Sequence, residues 1–376
     1  VTADSTPATL SDSVNAQILK VSEDRIQGFS EDPFGELATL CQLPVETVLR
    51  RIRAMLEAGT IRRVRQTLLA TNLAQGALVA WQVPPERLAT AFDDLFQNDP
   101  FSGHVVVRST DAETPGSIYR LWTTLKVPQG YSLEKHANWW ATRIGAESVK
   151  LMSAKKLFTL GVGHLRRREL QIGEKSDAPG EVLDTNIVEL TEGEWDVLTV
   201  LKRELMPEEV RRDLWTVRAS EIGRSVEDFS AVAKSLQERG VIGRFSTFLE
   251  HVKPGAGGER ATRYNALFHW RVPEGRELDA GREVGRFACM THAYWREGGP
   301  EFADVNIMGV AHGLDKALVL AHKAAIDAHL EAVGIPVLYT NVFWGGRSEI
   351  KPSEIAPDAY VAWCESVGLT PDTLRV

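Results

Sequence analysis

The sequence predicts an α+β chain built from two tandem copies of one unit, each a winged helix-turn-helix followed by a ferredoxin-like βαββαβ domain. Three observations carry that expectation: an internal repeat, two helix-turn-helix patterns, and an alternation of strand and helix behind each of them. The repeat is clearest between "AMLEAGTIRRVRQTLLATNLAQGALVAWQV" (54–83) and "KSLQERGVIGRFSTFLEHVKPGAGGERATRYNALFHWRV" (234–272). Gly59, Arg63, Trp81 and Pro84 correspond to Gly240, Arg244, Trp270 and Pro273. Gly59 and Trp81 lie 22 positions apart, Gly240 and Trp270 lie 30 apart, and "GAGGERAT" supplies the excess as a loop.

In the first copy, "PFGELATLCQLPVETVLRRIRAMLEAGTIRRVRQTLL" gives a short helix, a tight turn at Gln42 to Pro44, a longer helix and a two-stranded wing. Val45, Val48, Leu49, Ile52 and Leu56 recur at helical spacing and share the face that meets a small helical core. In the second copy Ile222, Val226, Phe229, Val232 and Leu236 do the same within "VRASEIGRSVEDFSAVAKSLQERGVIGRFSTFL". Behind the first winged helix come strand "ALVAWQV", helix "PERLATAFDDLFQ", strands "GHVVVRS" and "SIYRLWTTLKV", helix "SLEKHANWWATRIG" and a strand near "KKLFTLGV". The second copy repeats the order with "YNALFHWRV", "RELDAGREVGRFA", "MTHAYWRE", "DVNIMGVAH", "KALVLAHKAAIDAHLEAV" and "VLYTNVFWG". Four strands with helices on one face leave the other face to be covered, and the second copy is expected to cover it. The expected organisation is a polar tail (1–9), winged helix 1 (10–70), ferredoxin-like domain 1 (71–170), a linker (171–187), winged helix 2 (188–250), ferredoxin-like domain 2 (251–350) and a C-terminal amphipathic helix and tail (351–376).

Composition narrows the function classes. The 43 Lys and Arg against 51 Asp and Glu give a formal charge of -8, which disfavours a protein whose main task is to coat nucleic acid. Cys41, Cys289 and Cys364 are too few and too scattered for a disulfide framework or a four-ligand zinc site, so a reducing, cytoplasmic setting is expected and no metal site is assigned. No run of eighteen apolar residues is present and the first residues lack a signal-peptide pattern, so no membrane association is expected. Trp81, Trp270, Trp139 and Trp140 read as packing residues, and Cys41 as a small buried hydrophobe.

The segments "GTIRRV" with "ALVAWQVP", "GHVVVRS" with "IYRLWTTL", and "THAYWRE" with "NIMGVAHG" resemble the Lrp/AsnC family of bacterial regulators. Within that group they are most similar to the siroheme decarboxylases, including the fused NirDL type and the AhbA and AhbB pairs. The resemblance spans nearly all of residues 10 to 350, twice over. It implies removal of carbon dioxide from tetrapyrrole acetate side chains on a route to haem d1 or haem, with the iron tetrapyrrole as substrate and no separate organic cofactor. The matching segments look like that family's His-x-Tyr-x-Arg strand and the strand that follows it. The second copy keeps His292, Tyr294, Arg296, Asn306, His312 and Gly313 but has Val305 in place of a Tyr. The first copy has Tyr119 but departs at Val106, Arg120 and Lys126, where Tyr, Asn and His are expected.

Strand alternation places His292, Tyr294 and Arg296 on one face of their strand, and Asn306, Met308, Val310 and His312 on one face of the next. In the first copy His104 and Arg108 share a face, as do Arg120, Trp122, Thr124 and Lys126. Directed inward across stacked sheets, these faces would hold a large, flat, multiply anionic ligand, and a tetrapyrrole meets that description. Trp122 and Met308 would offer apolar surface to the ring, while Arg108, Arg120, Lys126 and Arg296 would anchor carboxylates. Tyr119, Tyr294 and Asn306 complete the substrate-binding set. His292 and His312 are the candidate proton donors, with His104 as a third catalytic candidate, because imidazole titrates near neutrality.

The competing reading is a DNA-binding regulator, with a sensor that binds without turnover as a third. Between positions 44 and 65, Arg50, Arg51, Arg53, Arg62, Arg63 and Arg65 outnumber Glu46 and Glu57, a balance that could meet phosphates. From 208 to 244 seven bases are balanced by seven acids, so the two recognition helices differ and symmetric in-chain reading of DNA is not favoured. A homodimer would be needed to pair the two first copies.

Overall fold

The computed structural model describes residues 6–160, 170–183, 187–250, 258 and 262–376. Most of the "GAGGERAT" insertion, part of the linker and the first five residues of the tail lie outside the described residues. In chain order the helices and strands are α1 (Ser13–Ser22), β1 (Ile26–Gln27), α2 (Pro33–Cys41), α3 (Val45–Glu57), β2 (Ile61–Leu68), β3 (Ala74–Gln82), α4 (Leu88–Asn98), β4 (Ser102–Ser109), β5 (Leu121–Pro128), α5 (Leu133–Ile144) and β6 (Ser148–Leu160). There follow α6 (Glu192–Lys202), α7 (Leu214–Glu221), α8 (Val226–Glu238), β7 (Ile242–Leu249), β8 (Tyr264–Arg271), α9 (Glu277–Gly285), β9 (Met290–Arg296), β10 (Ile307–Gly313), α10 (Lys316–Ala332), β11 (Tyr339–Ile350) and α11 (Pro357–Ser366). Contacts divide these into two compact units, one with α1 to β2 and α6 to β7, the other with β3 to β6 and β8 to α11.

The first unit is a mixed helical and three-stranded assembly in the order β1-β7-β2. Helix α3 buries Val48, Leu49, Ile52 and Met55, the apolar face expected from its spacing. The expected two-stranded wing within each copy is replaced by a pairing between copies. Strand β2 runs antiparallel to β7 with Ile61 opposite Leu249 and Leu68 opposite Ile242. The residues at the two ends of this ladder are themselves equivalent in the sequence repeat, so each half contributes one strand and covers an edge of the other.

The second unit contains a closed eight-stranded barrel in the order β10-β8-β11-β4-β5-β3-β6-β9. The element order β-α-β-β-α-β occurs twice, and each set of four strands has the same spatial order, second, third, first, fourth. The two sets do not stack as separate sheets. They join along their edges, β11 to β4 and β6 to β9, and the faces expected to oppose one another now line one lumen. Closure leaves no open edge in the barrel. Outward residues of the first set, including Val79, Trp81, Leu121 and Leu125, pack with Phe92, Trp140 and the C-terminal Tyr360 and Trp363. Those of the second, including Phe268, Trp270 and Ile307, pack with Val284, Ile326 and Leu330.

Strand β5 starts at Leu121, whereas the sequence placed its strand from Ser117 onward. The chain turns at Gly116, whose φ of 82° suits glycine, and Arg108 N donates to Arg120 O (2.7 Å), closing the hairpin before residues 117–120 can extend.

Helix α11 is held through a buried polar array. His136 Nδ1 meets the Tyr360 hydroxyl at 2.9 Å, and its Nε2 lies 3.4 Å from Asp99 Oδ1. Asp99 also accepts from the Ser102 hydroxyl (2.6 Å) and Phe101 N (3.0 Å). Burial alone would raise the Asp99 pKa, but His136 and these hydrogen bonds outweigh it and hold the carboxyl below its ordinary range. Replacing His136→Ala leaves that carboxylate unpaired in the core and is expected to cost about 3–5 kcal/mol in equilibrium denaturation. A loss below about 1 kcal/mol would contradict this role.

Candidate functional site

Alternation along the barrel strands decides what enters the lumen. Ala77, Val79, Ala293, Ala311, Ala266 and Phe268 belong to the outer clusters, so their neighbours in the strands point inward. One part of the interior is an apolar floor of Val106, Trp122, Met152, Leu267, Met308 and Phe343, joined by Tyr119, Phe302 and Val305. The Trp122 ring lies 5.2 Å from Phe343 and 5.5 Å from Phe302, and its Nε1 donates to Tyr119 O at 2.6 Å. His269 is embedded in the same packing, 4.8 Å from the Phe343 ring and 1% exposed. Burial, with the charge of Arg108 adding to it, drives the His269 pKa from its usual 6.5 down to about 3, so the ring is neutral.

The rest of the lumen is polar and cationic. Along one row the register places His312 opposite Asn265 and Gly345 opposite Arg108. A Cβ on Gly345 would lie 3.2 Å from the Asn265 Cβ, so glycine there lets Arg108 and Asn265 approach. Arg108 Nη1 donates to Asn265 Oδ1 and to Phe343 O, both at 3.2 Å. Asn265 Nδ2 is 3.1 Å from His312 Nε2. Thr291 Oγ1 lies 3.5 Å from His312 Nδ1 and 3.1 Å from His292 Nδ1, and donates to Val310 O at 3.0 Å. His292 stacks on Tyr294 (6.0 Å, 12°), and the Arg296 guanidinium lies 4.4 Å over the Tyr294 ring.

The equivalent row in the first copy runs Lys126 opposite Gly76 and Ala154 opposite Arg296. A Cβ on Gly76 would stand 3.3 Å from Lys126 Nζ, so the lysine lies across the space that a side chain would fill. Burial, reinforced by the charge of Arg296, lowers the Lys126 pKa from 10.5 to about 8. Burial likewise lowers Arg108 to about 10 and moves Arg296 down, although Tyr294 partly opposes the latter. Burial raises the Tyr294 pKa against the pull of Arg296, so the phenol keeps its proton at neutral pH. None of these inward positions carries a carboxylate. Cations crowded together in protein without acidic partners form a receptor for anions.

The lumen therefore gathers Arg108, Trp122, Lys126, His292, Tyr294, Arg296 and His312 from the residues named in the sequence. His104 stands on the same face of β4 as Arg108, with Nε2 2.7 Å from Ser348 Oγ. Tyr119 packs in the apolar floor against Phe302 (5.1 Å), with its hydroxyl on Ser148 at 3.0 Å. Two others lie elsewhere. Arg120 precedes β5 and is exposed. Asn306 precedes β10, and its amide is occupied by both backbone groups of Val272 (2.9 and 3.0 Å) and by Glu277 at 3.3 Å. Asn265, Thr291 and His269 were missed. A signal existed in "YNALFHWRV", where Asn265 and His269 alternate against the wholly apolar Ala266, Phe268 and Trp270.

The arginines that suggested phosphate binding are largely spent within the first unit. Arg51 donates to Pro7 O (3.2 Å) and pairs with Asp12 (3.3 Å). Arg53 donates to Pro207 O (3.2 Å) and Val210 O (2.9 Å). Arg63 is buried on Glu204 at 3.0 Å, and Arg65 lies 5.5 Å over the Phe248 ring with its pKa lowered to about 10 by burial.

Comparison with known proteins finds relatives over most of the chain. A siroheme decarboxylase of Hydrogenobacter thermophilus is 26% identical over 303 residues, covering 79% of this chain and 82% of the relative. The chain is a homologue of the siroheme decarboxylases. A siroheme decarboxylase NirH subunit of Stutzerimonas stutzeri is 29% identical over 121 residues, 31% of this chain and 66% of that subunit. In fold, the crystal structure of the siroheme decarboxylase NirDL superposes with a TM-score of 0.65 at 18% identity, covering 94% of this chain and 97% of that one. Its complex with an iron-uroporphyrin III analogue gives 0.64, also at 18% identity, covering 94% and 99%. No protein-family model matches the chain. No helix among the described residues is long and apolar enough to cross a membrane.

Because His269 is neutral when folded and takes up a proton near pH 6.5 when unfolded, stability should fall as pH drops from 6.5 toward 3, by up to about 1.4 kcal/mol per pH unit from this group. Denaturation of His269→Phe should show a correspondingly shallower acid limb. An unchanged slope would place the acid sensitivity elsewhere.

Proposed function

We propose that this chain is a siroheme decarboxylase that receives an iron tetrapyrrole in the barrel lumen and removes carbon dioxide from its acetate side chains. The observation that carries the reading is a lumen with an aromatic floor and three inward cations, Arg108 buried and Lys126 and Arg296 half-buried, with no acid at the inward positions described. The same reading takes each half of the chain as a winged helix with a ferredoxin-like domain, the two halves joined through their wing strands and sheet edges.

In this reading Lys126 and Arg296 grip carboxylates, the arginine through paired N–H donors, and the ring rests against Trp122, Met308 and Phe343. Tyr294 donates from its retained phenolic proton. The reaction converts a ring–CH2–COO⁻ group and one proton into ring–CH3 and carbon dioxide. The electron pair of the breaking C–C bond stays on the CH2 carbon, delocalised over the conjugated macrocycle, and takes the proton at that carbon. His292 is the donor we assign, since it stands beside Tyr294 and Arg296 and imidazole titrates near the working pH. The regulator reading lacks comparable support, because Arg51, Arg53, Arg63 and Arg65 are engaged within their own unit.

Anaerobic incubation with siroheme, followed by mass analysis of the extracted tetrapyrrole, should show loss of carbon dioxide. Arg296→Ala should weaken binding by about tenfold or more. His292→Asn should lower kcat by about 10²–10⁴-fold while leaving affinity nearly intact. A spectral shift without mass change would make the protein a binder without turnover, and unchanged kinetics in both variants would remove the site from the lumen.

A further inference from the structure

The two halves of the barrel differ at equivalent points in a way that separates two tasks. Where the first copy has Lys126 lying across Gly76, the second has His312 facing Asn265. Arg296 and Arg108 end the two rows at matching positions, next to Ala154 and Gly345. One row is therefore purely cationic. The other ends in an amide and an imidazole.

We propose that Asn265 is a positioning residue that fixes His312 as a neutral ring with its proton on Nδ1, leaving His292 as the imidazole of the pair that delivers the proton. The argument follows from donor and acceptor inventories. Arginine has only donors, so the Asn265 atom that meets Arg108 must be the carbonyl oxygen. The Asn265 amide nitrogen then donates toward His312, and His312 Nε2 must accept. An accepting Nε2 cannot carry a proton, so the His312 ring is neutral and its proton sits on Nδ1, which points at Thr291 Oγ1. Thr291 gives its own proton to Val310 O and uses its lone pairs to accept from both His312 Nδ1 and His292 Nδ1. His312 is thus held by a donor on one side and an acceptor on the other. In His292 the nitrogen through which a proton is exchanged is Nε2.

The role in turnover rests on the decarboxylase reading, whereas the tautomer does not, so the two can fail separately. The test is a long-range ¹H–¹⁵N spectrum of the ¹⁵N-histidine-labelled full chain, with the His312 signals assigned from their loss in His312→Asn. His312 should show the neutral Nδ1–H pattern, unchanged from pH 6 to 8. Asn265→Asp keeps the shape but offers an acceptor in place of the amide donor. It should move the His312 proton onto Nε2 and lower kcat with siroheme by about tenfold or more. A wild-type His312 with a protonated Nε2 overturns the proposal without any variant, as does a tautomer unmoved by Asn265→Asp. A moved tautomer with unaltered kcat would overturn the positioning role. The expected tautomer in a protein that does not consume siroheme would leave the Asn265 assignment standing and sink the decarboxylase reading.

Discussion

An open sheet edge exposes a row of unpaired N–H and C=O groups, and the need to satisfy those edges determines the form of this protein. Each half of the chain carries strands whose edges its own hairpins do not cover. The equivalent strands of the other half cover them. In the first unit β2 and β7 pair in a self-complementary register, and in the second the β11–β4 and β6–β9 ladders repeat one another across the barrel. Closing the barrel turns two half-covered sheet faces into one enclosed interior. The site proposed above lies on that interior face.

Duplication would give such an interior two like walls. Divergence at a few positions has made them different. Lys126, Gly76 and Arg296 form a wall of positive charge, and His312, Asn265 and Arg108 form a relay of hydrogen bonds. Neighbouring cations without acidic partners are costly to hold, and the depressed pKa of Lys126 expresses that cost. Apolar residues at the same positions would pack more cheaply. Their absence is what sets this interior apart from a structural core, since stability is being exchanged for affinity toward an anion.

Much of this was legible in the sequence because period-2 patterning and repetition are local signals. The shared faces of His292, Tyr294 and Arg296, and of Trp122 and Lys126, follow from alternation alone, as does the buried stripe of α3. Long-range pairing was not legible. Nothing in "IRRVRQTL" says that its partner strand lies in the other copy, and the stacked-sheet expectation missed a closure that depends on edges rather than faces. The placement of Arg120 and Asn306 outside the lumen has one cause. Both sit one residue outside a strand, where alternation no longer fixes direction. Asn265 escaped because its meaning depends on Arg108 from the other half.

The most direct measurement is the affinity for siroheme as a function of pH in the wild type and in Lys126→Met, followed by tryptophan quenching. If Lys126 grips a substrate carboxylate, its protonated form is needed, and wild-type affinity should weaken as pH rises past about 8, by up to about tenfold per pH unit. The Lys126→Met protein should bind more weakly and lose that dependence. Wild-type affinity that is flat from pH 7 to 9, or a variant that binds as tightly as the wild type, would contradict a tetrapyrrole held in the lumen of this barrel.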